Sequence, residues 1–174
     1  MATRPSSDRV REALFSMLAS DGVLGPDAEQ GDLGTRVLDL YAGTGALAFE
    51  ALSRGAAKAV LVEHGRDAVG AIRKNARALG ADADVMVFET TVERALPKIE
   101  GHFGMVFLDP PYADVRAPSF SGILEKAGAL LAHGGVLVLE HASTDEPPTV
   151  VGLVLDRSRR HGDTTLSLYR ALES

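Results

Sequence analysis

Val37-Leu38-Asp39-Leu40-Tyr41-Ala42-Gly43-Thr44-Gly45-Ala46-Leu47-Ala48 joins a short apolar run to a glycine turn and then to the start of a helical pattern. A run of this kind suits a strand covered on both faces. The two glycines at its end let the backbone approach a ligand where a side chain would stand in the way. Four more runs follow: Ala59-Val60-Leu61-Val62-Glu63, Val85-Met86-Val87-Phe88, Met105-Val106-Phe107-Leu108-Asp109 and Val136-Leu137-Val138-Leu139-Glu140. Helical segments alternate with them. Ala46 to Arg54 closes at Gly55, Arg66 to Leu79 closes at Gly80, Thr91 to Leu96 stops at Pro97, and Phe120 to Leu131 runs to the Gly134-Gly135 turn. This alternation predicts an α/β fold with a doubly wound parallel sheet and helices on both faces.

Outward from that core, Ser7 is placed to cap a helix carrying Val10, Leu14, Met17 and Leu18 on one face. A loop from Asp21 to Gly34 follows. At the other end, Val150 to Asp156 and Thr164 to Arg170 read as two strands joined by a polar turn at Arg160-His161-Gly162-Asp163, so the sheet ends in an antiparallel hairpin. With no repeat or linker in sight, one domain is expected over residues 1–174, an N-terminal helix and loop (1–34) preceding the core (35–174).

Composition narrows the chemistry. No cysteine is present, which removes disulfide and cysteine-zinc frameworks, and the five histidines show no metal-ligand spacing. A metal is not expected. No apolar run reaches the roughly 18 residues of a membrane span, and the N-terminus lacks a signal-peptide pattern, so a cytoplasmic protein without a membrane partner is expected. The net charge of −6 disfavours nucleic acid over the chain as a whole. Phosphate binding needs only local positive charge, however, and two basic clusters stand out. They are Arg4, Arg9 and Arg11 near the start, and Arg157, Arg159, Arg160 and His161 near the end.

The glycine turn alone leaves two cofactors open. Gly43-x-Gly45-x-x-Ala48, with Glu63 about 20 residues on to hold a ribose, satisfies the dinucleotide fingerprint of NAD. Asp39 shifts the balance toward S-adenosylmethionine. A carboxylate four residues before Gly43 repels a pyrophosphate and suits the ammonium of a methionine moiety. Candidate cofactor residues are therefore Asp39, Tyr41, Ala42, Gly43, Gly45 and Glu63.

Asp109-Pro110-Pro111-Tyr112 follows the fourth run. Each proline fixes its own φ and restricts the residue before it, so Asp109 and Pro110 project rigidly from the carboxyl edge of the sheet, where ligands bind in open α/β folds. An amine conjugated to a ring is a poor nucleophile. If the Asp109 carboxylate and the Pro110 carbonyl each accept one of its N–H groups, its lone pair faces the incoming methyl. Tyr112 then stacks on the ring.

The chain resembles the RsmD-type methyltransferases, which modify guanine N2 in 16S ribosomal RNA. Arg4 to Phe15 (RPSSDRVREALF) is similar to the family's N-terminal signature, Val37 to Ala56 to its cofactor segment, and Leu108 to Tyr112 to its acceptor motif. The resemblance implies a Rossmann-like seven-stranded sheet with the last strand antiparallel, S-adenosylmethionine as cofactor, and ribosomal RNA or the small ribosomal subunit as partner. It gives Arg4, Arg9, Arg11 and Pro111 a role beside the RNA, and a monomer is expected. Two departures accompany it. Family members carry a basic, glycine-rich segment ahead of Arg-Pro, whereas this chain begins Met1-Ala2-Thr3, which implies weaker RNA docking. Where the family often has an aspartate to meet the cofactor's adenine, this chain has Glu89-Thr90-Thr91-Val92, and Thr91, or a backbone group beside it, is expected to take that place. The acceptor motif equally suits adenine N6 in DNA or an amide nitrogen in protein. A cofactor-binding protein without activity is the remaining alternative.

Overall fold

The computed structural model describes residues 8–24 and 35–172. Ser7 and Arg4 lie outside the described residues, as does most of the expected loop before β1. Seven strands form one sheet in the order β3-β2-β1-β4-β5-β7-β6. They are β1 (Arg36–Leu40), β2 (Lys58–Val62), β3 (Val85–Phe88), β4 (Phe103–Leu108), β5 (Leu131–Ala142), β6 (Leu153–His161) and β7 (Thr164–Ala171). Strands β1 to β5 pair in parallel, and β7 runs antiparallel to both of its neighbours. Six strands thus share one direction and β7 alone opposes them.

Six helices cover the sheet: α1 (Asp8–Ser20), α2 (Ala46–Ser53), α3 (Arg66–Ala78), α4 (Val92–Ala95), α5 (Tyr112–Arg116) and α6 (Phe120–Gly128). Alternation along the strands divides the core in two. Val37, Met105, Phe107, Val136, Val138, Leu166 and Leu168 face α1, α2 and α3. Leu38, Leu40, Val106, Leu108, Leu137, Leu139 and Tyr169 face α4 and α6. Phe15 of α1 is fully buried, with its ring 5.9 Å from Phe107 and the Arg54 guanidinium 5.3 Å from its own centroid.

Several boundaries differ from the sequence expectation. The helix expected over Phe120 to Leu131 ends at Gly128, and β5 starts at Leu131, which pairs with Phe103. A register shift between Phe103 and Met105 carries the strand through Gly134 and Gly135. Gly135 lies so near the Ala132 and Gly104 carbonyls that a Cβ would stand 2.9 and 3.1 Å from them. Those glycines bend a strand rather than end a helix. Strand β6 starts later and runs further than Val150 to Asp156, so the hairpin turn contracts to Gly162 and Asp163. Pro97 does not stop the chain's coiling but sits in a 3-10 turn, Leu96–Lys98, continuing α4. Helix α5 was not expected, because none of its residues is buried and it shows no apolar period.

Truncating Phe15 to Ala removes a ring from a filled interior, and unfolding free energy should fall by about 3–5 kcal/mol. Urea unfolding followed by circular dichroism measures this; a loss below about 1 kcal/mol would mean that α1 is not part of the core.

Candidate active site

Strand order reverses between β1 and β4, and such a switch point opens a crevice at the carboxyl edge. Leu40 pairs with Leu108 across it, so Tyr41 and Asp109 leave the sheet side by side. Both expected loops therefore meet in one place.

On the β1 side, Asp39 is 1% exposed, and its Oδ2 accepts the Ala48 amide at 3.2 Å. Ala48 lies in the first turn of α2, whose own N-cap, Gly45, has no side chain to offer. A strand carboxyl thus satisfies a helix-end donor that would otherwise be orphaned. Burial pushes the Asp39 pKa up to about 8; the Ala48 bond opposes this and the charge of Glu63 adds to it. Without a cation nearby, Asp39 is held largely neutral at pH 7.

Glu63 is also buried, and its two carboxylate oxygens accept the Gly43 amide at 2.9 Å and the Gly65 amide at 2.8 Å. One side chain at the end of β2 thereby ties the glycine loop to the start of α3. Each oxygen retains acceptor capacity for a ligand hydroxyl. The two loop glycines serve different ends. Gly43 has φ +58 and open space where a Cβ would go. Gly45 has φ +84, and a Cβ there would fall 2.8 Å from the Phe49 ring and 3.0 Å from Leu61. Its positive φ and the close packing on Phe49 and Leu61 both require a glycine at the second position.

Ala42 donates its amide to the Val62 carbonyl at 3.0 Å. Tyr41 adopts φ +60, a strained conformation for a non-glycine residue. Its ring packs against the α4–α6 side of the core, and its hydroxyl is buried with no hydrogen-bond partner among the described residues. Burial, followed by the charges of Glu93 and Asp114, pushes its pKa well up. Thr91 is exposed and caps α4, its Oγ1 accepting the Arg94 amide at 3.4 Å.

On the β4 side, Pro110 is buried, while Asp109, Pro111 and Tyr112 are half-buried. Pro111 precedes α5 and its carbonyl accepts the Asp114 amide at 2.9 Å. The Tyr112 hydroxyl lies 2.8 Å from Thr164 Oγ1 at the start of β7. Thr164 was missed in the sequence because it lies 52 residues from its partner, with no local pattern to mark it. Arg116 pairs with Asp145 at 3.1 Å, fastening α5 to the segment after β5. Of the N-terminal arginines, Arg9 is exposed and Arg11 pairs with Asp8 at 2.5 Å. Among the described residues, neither forms an ion pair or side-chain hydrogen bond with the two loops. Among the described residues no group of three or more His, Asp or Glu could hold a metal ion, and no helix is long and apolar enough to cross a membrane.

A family model described as "Conserved hypothetical protein 95" matches residues 1–170. The chain is 34% identical to "Putative rRNA methyltransferase YlbH" of Bacillus subtilis over 173 residues, covering 97% of this chain and 88% of the relative. It is 33% identical over 167 residues to "Ribosomal RNA small subunit methyltransferase D" of Escherichia coli, covering 96% and 79%. Among solved structures, "Putative methyltransferase yhhF" from Escherichia coli superposes with a TM-score of 0.79 at 31% identity, covering 97% of this chain and 88% of that one.

The raised pKa of Asp39 has a definite sign. Between its unfolded value near 3.8 and its folded value near 8, the native state holds the proton that the unfolded state loses. The stability this protonation confers is complete below about pH 4 and is lost as pH rises through 8. Asp39→Asn removes that dependence. Its melting temperature should match wild type near pH 4 and exceed it at pH 8–9 in the absence of ligand; parallel curves would refute the shift.

Proposed function

The chain belongs to the conserved hypothetical protein 95 family, as an RsmD-type methyltransferase, and from that premise we propose that it methylates the exocyclic N2 of a guanine in small-subunit ribosomal RNA. The supporting observation is the juxtaposition at the β1–β4 switch point: a glycine loop bounded by two buried carboxyl groups, next to Asp109-Pro110-Pro111-Tyr112. The cofactor in this reading is S-adenosylmethionine, the setting the cytoplasm, and the partner ribosomal RNA, which the names of two relatives carry.

The residues present suit that cofactor. Open space stands over Gly43, and Glu63 keeps lone pairs for ribose hydroxyls beside it. Asp39 lies beneath the same turn, where an ammonium group would restore its ionised form. Thr91, with Tyr41 and Ala42, completes the candidate set. When bound, S-adenosylmethionine supplies a methyl group on a sulfonium, electrophilic enough for a weak nucleophile.

The rest of the work falls to the acceptor loop. Asp109 and the Pro110 carbonyl accept the two N–H groups of the guanine amine and turn its lone pair toward the cofactor loop. Tyr112 holds the plane of an extruded base by stacking. Forming the N–C bond would break the methyl–sulfur bond, its electron pair returning to sulfur as a neutral thioether; the nitrogen would become cationic, and the Asp109 carboxylate beside it would take the surplus proton. Positioning is the main contribution, so the prolines that stiffen this loop belong to the chemistry as much as the carboxylate.

Tritiated S-adenosylmethionine supplied with under-methylated small subunits, free RNA, DNA and cell protein should label one guanine; label confined to DNA or protein would overturn the acceptor assignment. Asp109→Ala should keep cofactor affinity and lose at least about two orders of magnitude in turnover. Near-normal turnover would remove Asp109 from its role. Cofactor binding at pH 7 should also release a proton from Asp39, seen as a binding enthalpy that varies with the buffer's ionisation enthalpy. In Asp39→Asn that variation should shrink.

A further inference from the structure

The second basic cluster, near the C-terminus, is split in two by its contacts. Arg157 pairs with Asp21 and approaches Asp156 at 3.6 Å, and Arg170, on the neighbouring strand, pairs with Asp21 at 3.0 Å and approaches Asp156 at 3.5 Å. Two guanidinium groups thus share two carboxylates along the middle of the hairpin. Toward the tip the pattern changes. Arg159 and Arg160 are exposed, and their contacts are to main-chain carbonyls: Arg159 Nη1 to Ser158 at 3.2 Å and Arg160 Nε to Gly162 at 3.0 Å. Neither forms an ion pair among the described residues. The tip carries these two cations against the single carboxylate of Asp163.

That tip is rigid and belongs to the carboxyl edge. Ser143, just after β5, donates its hydroxyl to the Gly162 carbonyl at 2.9 Å and its amide to the Asp163 carbonyl at 2.8 Å, and its Oγ lies 2.9 Å from Thr165 Oγ1. Arg160 sits directly opposite Thr165, and Thr164 beside it holds the Tyr112 hydroxyl. One strand spacing, about 5 Å, therefore separates the Arg160 backbone from the residue next to the tyrosine's anchor. Side chains alternate along the strand, so Arg159 shares a face with Thr164, while Arg160 leaves the opposite face and is turned to the tip by its bond to the Gly162 carbonyl; the two guanidinium groups flank the turn from either side.

From this placement we infer that the β6–β7 hairpin tip is the phosphate-binding wall of the acceptor site. Arg159 and Arg160 hold the backbone of the single-stranded RNA flanking the extruded base, and Thr164 sets the plane of Tyr112 against that base. The inference rests on the RNA reading above and assigns its docking surface to the C-terminal hairpin rather than to α1. The physical logic is economical. A flipped base leaves its own phosphates at the rim of the pocket, and the hairpin that orients the stacking ring presents unneutralised guanidinium groups at that rim.

The test uses the full chain with unmethylated small-subunit RNA transcribed in vitro, at several salt concentrations. An Arg159→Ala/Arg160→Ala double variant should raise KM for RNA about tenfold. Its slope of log affinity against log salt should be shallower by about 1 to 1.5, as for two lost phosphate contacts. Cofactor affinity and kcat at saturating RNA should stay near wild type. Arg77→Ala, at the far end of α3, should leave the slope unchanged. Thr164→Val should lower kcat several-fold without altering the slope, and Thr164→Ser should restore it. RNA that wild type cannot label sinks the RNA reading itself. RNA that wild type labels, but that the double variant binds with unaltered KM and slope, sinks this inference alone. An equal change from Arg77→Ala, or an unaffected kcat in Thr164→Val, would overturn it as well.

Discussion

Leu40 and Leu108 stand in register on neighbouring parallel strands, and from this pair the chain departs toward opposite halves of the sheet. After Leu40 it builds β2 and β3; after Leu108 it builds β5, β6 and β7. Connections running away from each other cannot cover the ground between them, and the crevice there follows from strand order alone. Both functional loops are simply what the chain does on leaving these two residues. In the proposed function one half of the sheet serves the group donor and the other the acceptor, and the two loops leave neighbouring strands one strand spacing apart.

How much of this the sequence reveals depends on how local each interaction is. The parallel strands are legible because burial on both faces demands unbroken apolar runs such as Val37 to Leu40 and Val136 to Leu139. Strand ends are less so: β5 reaches back to Leu131 through a register shift that only its partner β4 imposes. On the cofactor side, Asp39, Gly43 and Glu63 fall within 25 residues and carry a spacing that can be read. Their mutual contacts are not legible there, nor is the packing of Gly45 against the Phe49 ring. The acceptor side is legible only as far as Tyr112. Its anchor, Thr164, is an ordinary threonine at the start of an ordinary strand until the sheet closes. Helix α5 buries none of its residues fully and leaves no apolar trace to follow.

The two buried acidic groups show how scaffold and site can share atoms. Asp39 satisfies an amide of α2, and Glu63 satisfies the amides of Gly43 and Gly65. These bonds hold the loop in shape before any ligand arrives. They also place a carboxyl that burial keeps neutral and a ready acceptor beneath the same turn. Substituting either residue therefore tests loop geometry and ligand contact together, and the two roles part only in measurements that follow protons or pH.

The clamp on Asp21 joins the two ends of the described chain. Helix α1 buries Val10, Leu14, Phe15 and Leu18 in a cluster that includes Leu166 and Leu168 of β7, and Asp21 just beyond it engages Arg157 and Arg170. Phe15 also meets Phe107 of β4, so the helix rests on the middle of the sheet while its end is tied to the hairpin. The two arms of the clamp close loops of 136 and 149 positions. Closing so long a loop costs chain entropy that only an assembled sheet offsets, so the clamp depends on the sheet and cannot start it.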